Sequence, residues 1–301
     1  MDWGRYGVLR SANADWEFLG YLSCGDVATV PWYVPYVELD GKTVLLTGAT
    51  GGLGQAIGVA LAGRGASLVL SARKAEALNE LAASLPGEHR VVPADLGEDG
   101  ATERLVEEAG KVDALVANAG LPGTGKVESF SPEELKRALR VNLEAPMMLA
   151  RELAPSMRER CDGHLVFVSS LAGKAPSPKS AVYAATKFGL RGFALCLRAD
   201  LSGTGVGVSL VVPGFIRGAG MFADAGAQPP PGLGTSTPQE VAGAVVSAIE
   251  RDRMEVAVAP LRQRALAHLG LASPRVAMRV ITGGTARKAA DRVAKGQTDK
   301  R

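Results

Sequence analysis

The stretch KTVLLTGATGGLGQAIG, residues 42–58, decides how this chain is read. Its first seven residues form a short β-rich run. A glycine turn follows, and from Leu53 the apolar spacing becomes helical. Gly48, Gly52 and Gly54 are the anchors of the turn. Such a turn lets backbone N–H groups come close to a phosphate where a Cβ would obstruct them, and a helix starting at Leu53 points its positive end at the same place. Taken alone, a glycine-rich turn also serves plain tight packing, so its weight depends on what surrounds it.

Outward from this stretch the pattern alternates. SLVLSA, HRVVPAD, VDALVANAG, HLVFVSS, VGVSLVVPG and MEVAVAP are apolar runs of strand length. Between them lie KAEALNELAASL, GATERLVEEAG, a long helical stretch over 131–160, a helix over 180–202 closed by Gly203, and TPQEVAGAVVSAIE. Continuously apolar strands alternating with helices predict a parallel sheet covered on both faces. The expected fold is therefore α/β: a doubly wound, seven-stranded, Rossmann-type sheet in a single domain over residues 39–260. Residues 1–38 differ in composition. They hold all three tryptophans and four of the five tyrosines, and they read as an extension outside the fold. The stretch 215–237 is long, rich in glycine and proline, and apolar, as a substrate lid would be.

With 301 residues, 47% of them hydrophobic, the chain can build one large core. Three cysteines without short spacing give neither a metal site nor a disulfide framework, which points to a reducing, cytoplasmic setting. No apolar run approaches the ~20 residues that span a bilayer, and the start, MDWGRYGVLR, lacks the pattern of a signal peptide. The net charge of +3 is unevenly spread. Residues 262–301 carry ten basic side chains against two acids, so this tail is at +8 and the body at −5. The tail, 261–301, reads as a basic amphipathic helix, and contact with an acidic membrane surface is one use for it. Nucleic acid is not expected, because no aromatics interleave with the charges.

A dinucleotide fold places an acid on the ribose 2′-hydroxyl at the end of its second strand. Here that end reads VLSARK, with Ala72 at the acid position and Arg73 and Lys74 after it. An acid would repel a 2′-phosphate, whereas an arginine holds one with paired hydrogen bonds. NADP is the expected cofactor, and Glu76 keeps NAD as the alternative.

From residue 37 onward the chain has a single tyrosine, Tyr183, four positions before Lys187. On a helix the two are neighbours. A free phenol has a pKa of about 10, and a nearby ammonium or a positively charged nicotinamide is expected to lower it into a useful range. Such a phenol can give a proton to a carbonyl oxygen or take one from an alcohol. Ser170 ends a strand thirteen residues earlier, at the edge where open α/β sheets bind ligands. Pro146 has no N–H for the carbonyl of Asn142, so either the helix kinks there and frees that carbonyl for a water, or Pro146 starts a second helix.

TGATGGLG, NAG at 118–120, Asn142, Ser170, YAATK and PG at 213–214 together resemble the short-chain dehydrogenase/reductase family, in the family's order, across about residues 39–260. The resemblance implies that Gly48, Gly52, Leu53 and Gly54 line a pyrophosphate and that Asp95 and Leu96 lie near the adenine. It implies that Asn118 supports the cofactor-side strand and that Pro213 and Gly214 belong to the cofactor site. Asn142 would hold a relay water, Ser170 would orient the carbonyl, Tyr183 would be the acid/base, and Lys187 would bind the ribose and tune Tyr183. Where many members carry a threonine after PG, this chain has Gly218. The implied activity is hydride transfer between a nicotinamide and a carbonyl or alcohol. Phe215, Ile216, Met221 and Phe222 point to a lipophilic ketone or aldehyde, and the family implies a homo-oligomer. The alternative is a cofactor-bound regulatory or scaffold protein without turnover.

Overall fold

The computed structural model describes residues 37–281, apart from 225, 227, 228, 230 and 231, together with 290–294, 296 and 297. The expected extension 1–38 lies outside the described residues except for its last two positions, and so does much of the tail beyond residue 281.

Seven parallel strands form one sheet in the order β3-β2-β1-β4-β5-β6-β7. They are β1 (Thr43–Thr47), β2 (Ser67–Ser71), β3 (Arg90–Val91), β4 (Ala114–Ala117), β5 (Gly163–Val168), β6 (Val206–Pro213) and β7 (Glu255–Val258). The order reverses between β1 and β4, so a crevice opens at the carboxyl ends of these two strands, and the glycine turn leads directly out of β1. Strand periodicity sends alternate side chains to opposite faces. Val44 and Leu46 join one apolar cluster with Ile57, Leu61, Val245 and Ile249. Leu45 joins the other with Leu115, Leu149, Phe167 and Leu190. Helices α1 (Gly52–Ala62), α2 (Ala75–Ser84) and α8 (Pro238–Glu250) supply the first cluster. Helices α3 (Ala101–Ala109), α5 (Ala145–Glu159) and α6 (Ala181–Asp200) supply the second. This is the doubly wound α/β sheet that the alternation predicted.

Three local features differ from the sequence pattern. The third strand, at the edge of the sheet, is two residues long, although Val92 N–H and Ala94 N–H still donate to the Leu70 and Ala72 carbonyls, so the nitrogen of Pro93 faces away from β2. The helical stretch 131–160 divides into α4 (Pro132–Leu139), a π turn over Arg140–Glu144, and α5. The Ala145 N–H reaches back to the Arg140 carbonyl, one residue further than in an α-helix, just before Pro146. The long stretch after β6 contains one short helix, α7 (Met221–Asp224), and its ends are joined by a bridge between Ile216 and Ser236. The side chain of Phe222 lies outside the described set.

Beyond β7 the chain continues as α9 (Leu261–Ala272) and α10 (Pro274–Ile281). Gln263, Ala267 and Gly270 of α9 are buried. At Gly270 the helix runs so close to the chain after β5 that a Cβ would lie 2.8 Å from that of Ala175.

Candidate active site

The glycine turn is a cradle that only glycine can form. Gly48 has φ +64°, and a Cβ there would sit 2.8 Å from Ala119 Cα. A Cβ on Gly54 would lie 2.1 Å from the Gly48 carbonyl oxygen. The amino end of α1 has no side-chain cap and no acid in its first turn, so its N–H groups are left to bind an anion. Leu53 and Gly52 are partly buried there.

Beside the turn, a residue that the sequence pattern did not single out organises the crevice. Thr47 ends an apolar strand and is 1% exposed. Its Oγ1 accepts from the backbone N–H groups of Asn118 and Ala119, both at 3.1 Å. Asn118 Nδ2 donates in turn to the carbonyls of Thr47 and Gly48, at 3.1 and 3.2 Å. Asn118 thus ties the end of β4 to the first glycine. The advance signals for Thr47 were one hydroxyl at the end of an apolar run and its place as the first residue of TGATGGLG.

At the end of β2, Ala72 is followed by Arg73, which is exposed, and no acid stands at the second-strand position. Asp95 is partly buried and doubly engaged by Arg137, whose Nη2 donates to both carboxylate oxygens at 2.9 and 2.7 Å. The Gly97 N–H donates to the same carboxylate at 2.9 Å. Burial alone would raise the pKa of this acid. The hydrogen bonds from Arg137 and Gly97 and the charges of Arg137 and Arg73 outweigh it and hold Asp95 below the usual carboxylate range. Leu96 is buried in the core. Pro213, also buried, closes β6, and the Gly214 N–H donates to the Val258 carbonyl at 3.0 Å.

Tyr183 sits in the first turn of α6, with its backbone pressed against the chain after β4. The Tyr183 N–H donates to the Gly123 carbonyl at 3.3 Å, and a Cβ on Gly123 would come within 2.9 Å of that nitrogen. The side chain is half-buried and Ser170 lies beside it. Burial pushes the phenol up to about 12, and the hydrogen bond with Ser170 offsets this only in part. The lowering expected from Lys187 is thus not seen. The lysine Nζ lies 5.7 Å from the ring centroid and donates instead to the Val168 carbonyl at 3.0 Å. Lys187 is itself buried, and burial brings its pKa down to about 8. Two desolvated groups of opposite kind move apart from their charged forms, so the phenol stays protonated at neutral pH.

Asn142 lies in the π turn and is fully buried. Its Oδ1 accepts from the Leu121 N–H at 2.6 Å and its Nδ2 donates to the Leu121 carbonyl at 2.9 Å. The side chain therefore fixes the loop after β4. Pro146 gives the Asn142 carbonyl no hydrogen bond, as its missing N–H requires.

The model of the short chain dehydrogenase family matches residues 42–230, more than half of the chain. The ketoacyl reductase HetN of a Nostoc species is 39% identical over 73% of this chain and 79% of its own. The 3-oxoacyl-[acyl-carrier-protein] reductase FabG of Rickettsia conorii is 32% identical over 60% of this chain and 75% of its own. A metagenomic short-chain oxidoreductase solved with NADP has 32% identity and a TM-score of 0.63, covering 74% of this chain and 99% of that one. A 3-oxoacyl reductase from Agrobacterium tumefaciens C58, solved with NADP bound, has 25% identity and a TM-score of 0.68, covering 73% and 93%. The fold, the glycine cradle at the strand-order reversal and these likenesses agree: the chain belongs to the short-chain dehydrogenase/reductase family and is an NAD(P)-dependent oxidoreductase.

Proposed function

We propose that this chain is an NADP-preferring reductase of lipophilic ketones or aldehydes, with Ser170, Tyr183, Lys187 and Asn142 as its working set. The observation that carries the reading is Tyr183. It is the only tyrosine after residue 37, it stands at the carboxyl edge of the sheet beside Ser170, and it is held in the protonated form that a carbonyl reduction uses. Ser170 and Tyr183 bind the substrate oxygen, and Tyr183 gives its proton as that oxygen becomes an alcohol. When bound, the nicotinamide supplies the hydride. The residues present suit such a cofactor, because the amino end of α1 follows a glycine turn and has neither a side-chain cap nor an acid in its first turn to compete with a phosphate. Lys187, with a pKa brought near 8, is matched to returning a proton at neutral pH, and the Asn142 carbonyl is a place for an ordered water. The 2′-phosphate falls to Arg73. Asp95 and Leu96 border the adenine, and Pro213 and Gly214 the nicotinamide end.

The ketoacyl and 3-oxoacyl names of the relatives make acyl-thioester ketones the first substrates to try. Phe215 and Met221 are half-buried and Ile216 is buried, which suits an apolar wall. A screen of purified enzyme with NADPH and with NADH, against 3-oxoacyl thioesters, aliphatic ketones and aldehydes, tests the reading. Turnover only on small hydrophilic carbonyls would refute the lipophilic assignment. A scaffold without turnover would oxidise neither cofactor. The family's homo-oligomer is checked by light scattering.

A separate observation favours contact with an acidic membrane surface. Helices α9 and α10 carry Arg262, Arg264, Arg275 and Arg279 with no acid between residues 261 and 281, and they expose Leu261, Leu271, Val276 and Met278. Among the described residues no helix is long and apolar enough to cross a membrane. Sedimentation with phosphatidylserine vesicles, with and without reversal of the four arginines to glutamate, tests this contact.

A further inference from the structure

One buried amide outside the matched family region holds both ends of the stretch that follows β6. Gln263, the third residue of α9, is 4% exposed. Its Oε1 accepts from the Phe215 N–H at 3.2 Å, at the start of the 215–237 stretch. Its Nε2 donates to the carbonyls of Leu233 and Gly234, at 3.2 and 2.8 Å, near the end of that stretch. The amide comes so close to the strand exit that a Cβ on Gly214 would lie 2.1 Å from Oε1. The two feet are also paired with each other. Ser236 N–H donates to the Phe215 carbonyl and Arg217 N–H to the Ser236 carbonyl, both at 2.9 Å.

These feet support residues that close on the glycine turn. A Cβ on Gly52 would lie 2.4 Å from the Ala219 Cβ and 3.2 Å from the Gly220 nitrogen. Ala219 and Gly220 therefore rest on the amino end of α1, where the phosphates of a dinucleotide bind in this fold. Without the Gln263 amide, three backbone groups at the feet lose their partner, and nothing else among the described contacts joins both feet to α9.

We propose that Gln263 is a positioning residue for dinucleotide binding: by tying both feet to α9, it sets how closely Ala219 and Gly220 approach the amino end of α1. The proposal rests on the family's use of a nicotinamide cofactor and not on the NADP preference. A shift of Ala219 changes the phosphate end of the site, which NADPH and NADH share. Arg73, by contrast, can distinguish the two.

The test is the dissociation constant for NADPH and for NADH, by fluorescence titration of the full chain. The variants are Gln263→Glu, Gln263→Leu and, as a comparison, Arg73→Leu. Glutamate keeps the acceptor for Phe215 and sets a carboxylate oxygen against the carbonyls of Leu233 and Gly234, whereas leucine loses all three contacts without adding a charge. Weakening should reach about tenfold for leucine, the scale of one or two net hydrogen bonds, should be at least as large for glutamate, and should be equal for both dinucleotides. Thermal melts without dinucleotide separate this from loss of fold, since a purely structural role lowers the midpoint and leaves the affinity of the folded protein unchanged. If neither of these variants folds, Gln263→Met, an unbranched neutral side chain of similar length that also lacks all three contacts, gives the answer. Affinities within twofold of wild type in a folded variant, or a loss confined to NADPH, would overturn the proposal. A failure of Arg73→Leu to affect NADPH would count against the NADP reading alone.

Discussion

Asn142 and Leu121 form a closed pair, in which the side-chain amide of the first accepts from the backbone N–H of the second at 2.6 Å and donates to its carbonyl at 2.9 Å. A side-chain amide carries a donor and an acceptor side by side, so it satisfies both groups of one peptide residue without a charge. The pair fixes the loop between β4 and α4, and the same loop supports Tyr183 through Gly123. Asn142→Ala leaves the Leu121 groups without partners. Stability should fall by about 1–3 kcal/mol, and turnover should fall with it. Chemical denaturation and steady-state rates at a temperature where the variant is folded check this. An unchanged denaturation midpoint would show that water replaces the amide without cost.

Tyr183→Phe should reduce turnover by ~10²–10⁴-fold, the usual contribution of a general acid, while the dissociation constant for the dinucleotide stays near wild type. The pH dependence follows from the phenol being held up to about 12. Reduction needs the protonated form, so its rate should be flat with respect to Tyr183 through neutral pH. Alcohol oxidation needs the phenolate, so its rate should climb as pH rises. An oxidation rate that is independent of pH between 6 and 9 would remove Tyr183 from the proton transfer.

Ala72 leaves room where an acid would repel a 2′-phosphate, and Arg73 is exposed beside it. A hydrogen bond to a charged group contributes about 1.5–3 kcal/mol, which corresponds to a preference for NADPH of roughly 10- to 100-fold in kcat/KM. Ala72→Asp combined with Arg73→Leu should reverse the order, because it adds repulsion as it removes attraction. Kinetics on one carbonyl substrate with both cofactors measure this, and equal use by the wild type would contradict it.

His164 supplies a pH dependence of stability far from the proposed chemistry. It is 2% exposed and its Nε2 lies 2.8 Å from Ser209 Oγ. Burial lowers its pKa from 6.5 to about 4, with the charge of Asp252 opposing and that of Arg198 adding to the effect. The unfolded chain therefore binds a proton between these values that the folded protein does not, and stability is lost as pH falls from 6.5 toward 4. At 1.36 kcal/mol per unit the loss approaches about 3 kcal/mol. His164→Gln should flatten this part of the profile in urea titrations. An unchanged slope would place the titration elsewhere.

Much of the fold and part of the site were determined by the sequence alone, because local physics writes them there. The run KTVLLTG followed by glycines and a helical pattern needs no partner to be read, since strand period, turn geometry and helix period are each set within a few residues. Tyr183 and Lys187 share a helix face for the same reason, and Pro146 announced a break in the helix because a missing N–H is a property of the residue itself. Only the tertiary structure decided what depends on neighbours distant along the chain. The phenol pKa rose because burial outweighed the Ser170 hydrogen bond, while the lysine turned to Val168. Thr47 came to organise Asn118 from 71 residues away. Gln263 reached back 48 residues to Phe215 from a tail that composition set apart as basic and helical. A hydrogen bond of this kind has no sequence period, so its partner is fixed only when the sheet and helices bring the two segments together.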